Sequence, residues 1–256
     1  MIIKNFIFLL KLFKTKLNSH KSDSSNIELN QLITKGYYQF AINDTIADKL
    51  YKEIDHKFSE YCIDGIGDLR LHGVERSSFY INNFFNNELK DHLDNINLTA
   101  SKKVSLFSVL GGKLVSGNNQ SSGGGWHRDM YYEQYKIIIY LSDVNKNNGP
   151  FCYFENSHKK HMQILNLLFN IFSKNITRYS EKLIGFFSFM NLGNKKILTG
   201  RRGTCIVFNS SGLHRGINIL SGCRFSLTAY LYPNLKNSEY KDLENYFKIP
   251  MNLRKY

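Results

Sequence analysis

The residues best suited to chemistry are His127 and Asp129, in the string Trp126-His127-Arg128-Asp129. In an extended backbone, residues two apart project from one face, so this imidazole and carboxylate could hold one metal ion. The spacing alone is weak, because eight histidines and eleven aspartates in 256 residues give roughly 0.3 such pairs by chance. A second pair, His92 and Asp94, lies in a predicted helix, where residues two apart point to nearly opposite sides. We therefore favour the pair at 127 and 129.

His214 is the candidate third ligand, because it follows the predicted strand TCIVFN within the string SGLHRGINILSGCR. Two imidazoles and one carboxylate on one face of a metal leave its other positions open, as in non-haem Fe(II) oxygenases. The alternative for any single histidine is a solvated or hydrogen-bonded side chain. The three residues His127, Asp129 and His214 are the predicted metal site.

Arg224 stands ten residues beyond His214 in the predicted strand CRFSLTAYLY. On that strand one face is polar, with Arg224, Ser226, Thr228 and Tyr230, and the other is apolar, with Phe225, Leu227 and Leu231. A guanidinium pairs bidentately with carboxylates, so it suits the distal carboxylate of a 2-oxo diacid whose other end chelates a metal. We assign Arg224 and Ser226 to such a cosubstrate, with a surface salt bridge of Arg224 as the alternative.

The elements that must position these residues form a mainly β core with flanking helices. A strand is expected at YYQFAI from residue 37, then a helix capped by Asn43 or Asp44 that runs to about Tyr61, and a helix at 85–97. The following runs are rich in β-branched and aromatic residues and are separated by Gly, Asn and Ser clusters. They are KVSLFSVL, YKIIIYL, FCYF, TCIVF and RFSLTAYLY.

The chain is long enough for one well-buried domain, which we place at 31–256. Residues 1–30 are predicted to be a basic amphipathic segment followed by a polar, serine-rich linker to about Asn30. Lys11 interrupts the apolar run before any cleavage site, which argues against a signal peptide and a spanning helix. We expect a cytoplasmic protein whose N-terminal segment either contacts a membrane surface or is an ordinary amphipathic helix.

An interval at about 159–199 interrupts the strand pattern and is both apolar and basic. Its apolar stripe has helical spacing and comprises Ile164, Leu167, Leu168, Ile171 and Phe172. Residues 158–202 carry a net charge of +8 and residues 1–22 carry +5, which together equal the net charge of +13. A connection this long is more often a lid or binding element than a plain loop. The charge suggests an anionic or lipid-linked substrate or a membrane surface, whereas nucleic acid is disfavoured because no nucleic-acid motif accompanies it.

The four cysteines, Cys62, Cys152, Cys205 and Cys223, form no CxxC pair. We expect reduced, mostly buried thiols.

The strings WHRD, YKIIIYLSDVNKNNGPFCYFENSHK and GRRGTCIVFNSSGLHRGINILSGCRFSLTAYLY resemble the phytanoyl-CoA dioxygenase family over about residues 33–233. The resemblance implies a double-stranded β-helix (a cupin-like jelly roll), Fe(II) held by His127, Asp129 and His214, and Arg224 as the anchor of 2-oxoglutarate. It also implies O2 as cosubstrate and hydroxylation rather than halogenation, since residue 129 is an acid. Glu155-Asn156 departs from the family's usual Pro-Gly, and Thr204 stands where an Asp is common.

The resulting hypothesis is an Fe(II)- and 2-oxoglutarate-dependent dioxygenase that hydroxylates a C–H bond of a small or lipid- or phosphate-linked metabolite. Two alternatives remain at this stage. One is a non-catalytic jelly roll that binds a ligand, and the other is a cupin-type metal enzyme that does not use 2-oxoglutarate.

Overall fold

The computed structural model describes residues 2–14, 26–61, 67–117 and 124–233. Most of the predicted linker, at 15–25, lies outside this part of the chain, as does Cys62. The strands are β1 Tyr37–Ala41, β2 Gly67–His72, β3 Val104–Val115, β4 Tyr135–Tyr140, β5 Phe151–Phe154, β6 Lys195–Leu198, β7 Thr204–Asn209, β8 His214–Gly216 and β9 Cys223–Pro233. The α-helices are α1 Ile2–Lys14, α2 Ile27–Thr34, α3 Asp44–Glu60, α4 Phe79–Asn83, α5 Lys90–Thr99, α6 Lys160–Asn170 and α7 Glu181–Phe189.

The strands form two antiparallel sheets. The large sheet has the order β1-β7-β4-β9-β3-β2, and the small sheet has the order β6-β5-β8. His127 extends the small sheet, because it pairs with His214 at the start of β8. This arrangement is the double-stranded β-helix that the sequence predicted.

The helices α2, α3 and α5 cover the outer face of the large sheet. Leu50, Ile54 and Phe58 of α3 are buried in one apolar cluster with Ile137 of β4 and Leu227 of β9. The N-terminus of α3 is the predicted one, because the Asn43 side chain accepts a hydrogen bond from the Thr45 amide. The outward residues of β4 and β9 in this cluster are therefore apolar, which leaves their inward residues free to be polar.

Two elements differ from the sequence-based expectation. Helix α2 begins at Ile27, within the predicted linker, because Asn26 caps it and Leu29 and Leu32 are buried on the domain. The expected helix at 85–97 is instead a π-helical turn at Phe84–Glu88 followed by α5.

Strand β2 was not predicted. Its inward side chains are Asp68, Arg70 and His72, which line the central cavity, so its apolar pattern is limited to Leu69 and Leu71.

The basic and apolar interval contains α6, α7 and strand β6. Because β6 pairs with β5, the last residues of this interval belong to the small sheet. Helix α1 packs against α6 through Leu9, Leu12, Leu167 and Ile171. The N-terminal segment and the interval therefore contact each other, although they are far apart in sequence.

Asn156 has a φ of 66°, in the left-handed region. Asparagine tolerates this conformation better than most residues, which explains how it replaces the glycine usual in the family that the sequence resembles.

Three of the four cysteines lie in the described part of the chain, and all three are free thiols. Cys152 and Cys205 are buried and Cys223 is half-buried. None of the helices described is both long and apolar enough to cross a bilayer. The cytoplasmic location stays a prediction.

Candidate metal centre and cosubstrate pocket

The structure brings His127, Asp129 and His214 together. The backbones of the two histidines exchange hydrogen bonds of 2.8 and 3.0 Å, so their rings project side by side from neighbouring extended segments. Oδ1 of Asp129 lies 3.9 Å from Nε2 of His127 and 3.8 Å from Nε2 of His214. The three side chains offer ligand atoms that all lie within 4.8 Å of one another. One ion between them is within reach of all three.

The backbone sets which nitrogen of each ring faces this point. Nδ1 of His127 donates to the Gly125 carbonyl at 2.8 Å, and Nδ1 of His214 donates to the Gly212 carbonyl at 3.0 Å. A carbonyl can only accept, so the proton of each neutral ring lies on Nδ1. Both Nε2 lone pairs are therefore available to a metal, as hydrogen bonds to metal-binding histidines usually ensure.

The protonation states suit a divalent cation at neutral pH. Burial and then the His127 ring lower the pKa of His214 to about 3, although Asp129 acts in the opposite direction. Burial also lowers the pKa of His127, again against Asp129. Burial raises the pKa of the Asp129 carboxyl, but Lys136 and the two imidazoles outweigh it, so the net pKa lies well below its usual range. The site holds two neutral imidazoles and one carboxylate.

Lys136, on β4, is a part of the site that the sequence analysis missed. Its Nζ lies 2.7 Å from Oδ2 of Asp129 and 4.6 Å from the centre of the Tyr230 ring. Burial lowers its pKa, but Asp129 more than compensates, so the net pKa is raised. The lysine occupies one carboxylate oxygen and leaves the other directed between the histidines. The signal in the sequence that could have identified Lys136 is its position as a lysine within the otherwise apolar run YKIIIYL.

We expect Lys136→Met to destabilise the metal-free protein by about 2 kcal/mol, because it leaves the half-buried Asp129 carboxylate without its partner. Urea unfolding of the metal-free protein measures this loss. Saturating Ni(II) should restore most of the stability, since the metal replaces the missing charge. The matched control is the same substitution in an Asp129→Asn background, where little further loss is expected. An equal loss in both backgrounds would assign the effect to packing instead.

The predicted cosubstrate residues lie in the same cavity, which has a volume of about 510 Å³. Arg224, Ser226, Thr228 and Tyr230 all line it from β9, whereas Phe225 and Leu227 are in the core. Arg224 is half-buried, and its Nη1 donates to the Gly149 carbonyl. Within the described residues no carboxylate is in ion-pair contact with Arg224, and its Nε has no hydrogen-bond partner. The positive charge of Arg224 therefore borders the cavity without an ion-pair partner among the described residues.

The alternative His-x-Asp pair lies elsewhere. His92, on α5, stacks on Phe40 with ring centres 3.6 Å apart and lies 3.2 Å from a carboxylate oxygen of Glu28. Neither His92 nor Asp94 lines the cavity. The helix separates their side chains, as the sequence predicted.

The interval at 159–199 reaches the metal centre. The Arg128 amide donates to the Thr177 carbonyl at 3.0 Å, and the Tyr179 amide donates to the Trp126 carbonyl at 2.9 Å. Residues 177–179 thus pair with the segment that carries His127. Asn175, Thr177 and Arg178 consequently line the cavity. Arg178 is exposed and forms no ion pair with any residue that the structure describes.

Arg128, between the two candidate ligands of the His-x-Asp pair, contacts the surrounding protein. Its buried guanidinium donates to the Ser211 carbonyl at 2.5 Å and to Oδ1 of Asn166 at 2.7 Å, and it stacks over Tyr131. These hydrogen bonds connect residues 126–129 to α6 and to the segment before β8.

No protein-family model and no curated protein sequence matches the chain. Solved structures do match its fold. The epimerase SnoN, in complex with Fe3+, α-ketoglutarate and nogalamycin RO, has a TM-score of 0.61 at 13% identity, over 80% of this chain and 82% of that chain. HygX from Streptomyces hygroscopicus, with nickel and 2-oxoglutarate bound, has a TM-score of 0.59 at 16% identity, over 81% and 86%.

EctD from S. alaskensis, with bound Fe, has a TM-score of 0.60 at 11% identity, over 86% of this chain and 79% of that chain. The TM-scores show a shared fold, and at identities this low the comparison shows the fold alone. Conclusions about chemistry must come from the residues at this chain's own site.

Proposed function

We propose that this protein is a non-haem Fe(II)- and 2-oxoglutarate-dependent oxygenase of the phytanoyl-CoA dioxygenase kind, which hydroxylates a C–H bond of a small molecule. The observation that carries the proposal is the convergence of His127, Asp129 and His214 in a cavity that also contains the unsatisfied Arg224. The proposal explains the three ligands and the arginine together.

The donor set fits Fe(II). Two imidazoles and one carboxylate bind one face of the metal and leave room for a chelating cosubstrate and O2. When bound, iron with 2-oxoglutarate and O2 would supply the oxidising chemistry, with succinate and CO2 as coproducts. The protein's own part is to hold the ligands in place, through Lys136 on Asp129 and the carbonyls of Gly125 and Gly212 on the rings.

Arg224 would bind the distal carboxylate of 2-oxoglutarate. Ser226, the next inward residue on β9, faces Gly112 of β3 in the sheet register. A Cβ at position 112 would lie 3.1 Å from the Ser226 hydroxyl oxygen, so glycine keeps this part of the pocket open. A diacid could therefore extend from the metal to Arg224, with the Ser226 hydroxyl as a further donor.

The charges in the cavity favour an anionic substrate. Of the described residues that line it, two are acids, and both are already paired, Asp68 with Arg70 and Asp129 with Lys136. Arg178 remains as a cation at the solvent-exposed side, near His127. SnoN and HygX have been solved with small molecules, nogalamycin RO and hygromycin B respectively, which supports a small-molecule substrate for this fold.

The test is turnover of 2-oxoglutarate by purified protein with Fe(II) and ascorbate. We expect at least slow formation of succinate without substrate. Metabolite extracts should then show 2-oxoglutarate-dependent mass gains of one oxygen, which would identify the substrate. Failure to bind iron, together with no succinate in any extract, would contradict the proposal.

His127→Ala separates an enzyme from a binding module of the same shape. An oxygenase loses turnover when a metal ligand is removed, whereas a non-catalytic jelly roll keeps its ligand. Retained binding of a metabolite with no oxidation by the unsubstituted protein would favour the binding module.

A further inference from the structure

We propose that α1, α6 and α7 form a docking surface for an anionic lipid bilayer, which we call the helical face. It comprises the exposed apolar residues Phe6, Ile7, Leu10, Leu168, Phe169, Phe172, Phe186, Phe189 and Met190. This inference does not depend on the oxygenase chemistry.

Helix α6 is apolar on both sides. Its inner side buries Met162 and Leu167, as expected for a helix packed on a domain. Its outer side nevertheless presents Leu168 and Phe169, and Phe172, in the turn that follows α6, is 74% exposed. Single exposed apolar residues are ordinary, but a contiguous patch of this kind marks an interaction surface.

Helix α7 continues the patch. The rings of Phe169 and Phe186 are in contact, with centres 5.3 Å apart, and both are exposed. One turn beyond Phe186, Phe189 is 82% exposed and Met190 is also exposed. The two helices therefore present one continuous apolar surface.

Helix α1 extends this apolar surface on the other side of α6. The Asn5 side-chain amide donates to the carbonyls of Ile171 and Ser173, at 2.7 and 3.3 Å. Phe6 and Phe172 are the residues next to this contact, and both are exposed. The exposed residues of α1 thus lie beside the turn that follows α6.

Among the residues that the structure describes, the charges on the helices and turns of the helical face are almost entirely positive. Exposed Lys4, Lys174, Arg178 and Lys182 belong to these helices or to the segment between α6 and α7. The acid in this region, Glu181, is paired with Arg215 and lies 3.5 Å from Lys195. Its charge is therefore already compensated.

This combination selects a bilayer as the occupant. Apolar side chains among basic ones match the interfacial region of an anionic membrane, where each basic residue adds attraction. A second copy of the chain would instead bring two cationic surfaces together, which like charges oppose. Because Arg178, between α6 and α7, also lines the cavity, docking would place the bilayer next to the entrance of the site.

Vesicle flotation of the full chain tests the proposal. We expect binding to vesicles of phosphatidylcholine with phosphatidylserine, and weaker binding to phosphatidylcholine alone. Phe172→Ser with Phe189→Ser should lower the partition coefficient at least about tenfold, because two large apolar side chains no longer enter the bilayer. Lys174→Gln with Lys182→Gln should lower it roughly fivefold per lysine on the anionic vesicles.

The matched control is Phe79→Ser, on α4, which packs against α3 instead. Phe79 is 88% exposed, so its replacement removes a similar apolar surface elsewhere and should leave partitioning unchanged. Thermal unfolding verifies that each variant is folded. Absence of binding to both vesicles would overturn the proposal, as would an equal loss in the control. A dimer that Phe172→Ser with Phe189→Ser abolishes would assign the surface to a second copy instead.

Discussion

Asp129→Ala should abolish tight Fe(II) binding and lower 2-oxoglutarate turnover by at least about 100-fold, since even residues that only support metal ligands contribute 10- to 100-fold. The carboxylate is the anionic member of the ligand set, and its net pKa lies below the usual range, so it is charged at neutral pH. Anaerobic equilibrium dialysis measures the metal, and succinate formation measures the turnover.

Asp94→Ala is the matched control, because it removes an exposed aspartate from the other His-x-Asp pair of the same chain. We expect wild-type iron binding and turnover in this variant. Equal losses in both variants would show that the effect is not specific to the cavity. Retention of one bound iron by Asp129→Ala would exclude the proposed ligand set.

Arg224→Ala should raise the KM for 2-oxoglutarate about 10- to 100-fold, because a charge-assisted, bidentate hydrogen bond to the distal carboxylate is lost. Iron binding should be unchanged, since Arg224 does not contact the three ligands. The KM of Arg224→Lys should lie between those of the unsubstituted protein and Arg224→Ala, because lysine keeps the charge without the bidentate geometry. Initial rates of succinate formation at varied 2-oxoglutarate measure the effect.

The control for this change is Arg201→Ala, an exposed arginine between β6 and β7. It should leave the KM unaltered. If Arg224→Ala retains full activity with an unchanged dependence on 2-oxoglutarate, the arginine is not the anchor. Activity that needs no 2-oxoglutarate at all would favour the cupin-type metal enzyme.

Local pattern was sufficient for much of the site. The strand that follows the His-x-Asp pair, the alternation along β9 and the start of α3 at Asn43 each depend on neighbours within a few residues. Strand β2 was missed because its alternation is short, with only Leu69 and Leu71 as apolar residues, and so brief a pattern does not identify a strand. Lys136 was missed because its ion pair with Asp129 forms only once β4 is placed in the sheet, which local pattern does not show.

The sequence by itself determined the two-residue spacing of the candidate ligands His127 and Asp129 and the face of β9 that carries Arg224, because these follow from backbone periodicity. Only the tertiary structure decided that His214 lies beside His127, since that requires pairing of segments almost ninety residues apart along the printed sequence. It also decided that residues 177–179 adjoin the segment that carries His127 and that α1 meets α6. Such contacts depend on long-range burial of apolar surface, which local pattern does not specify.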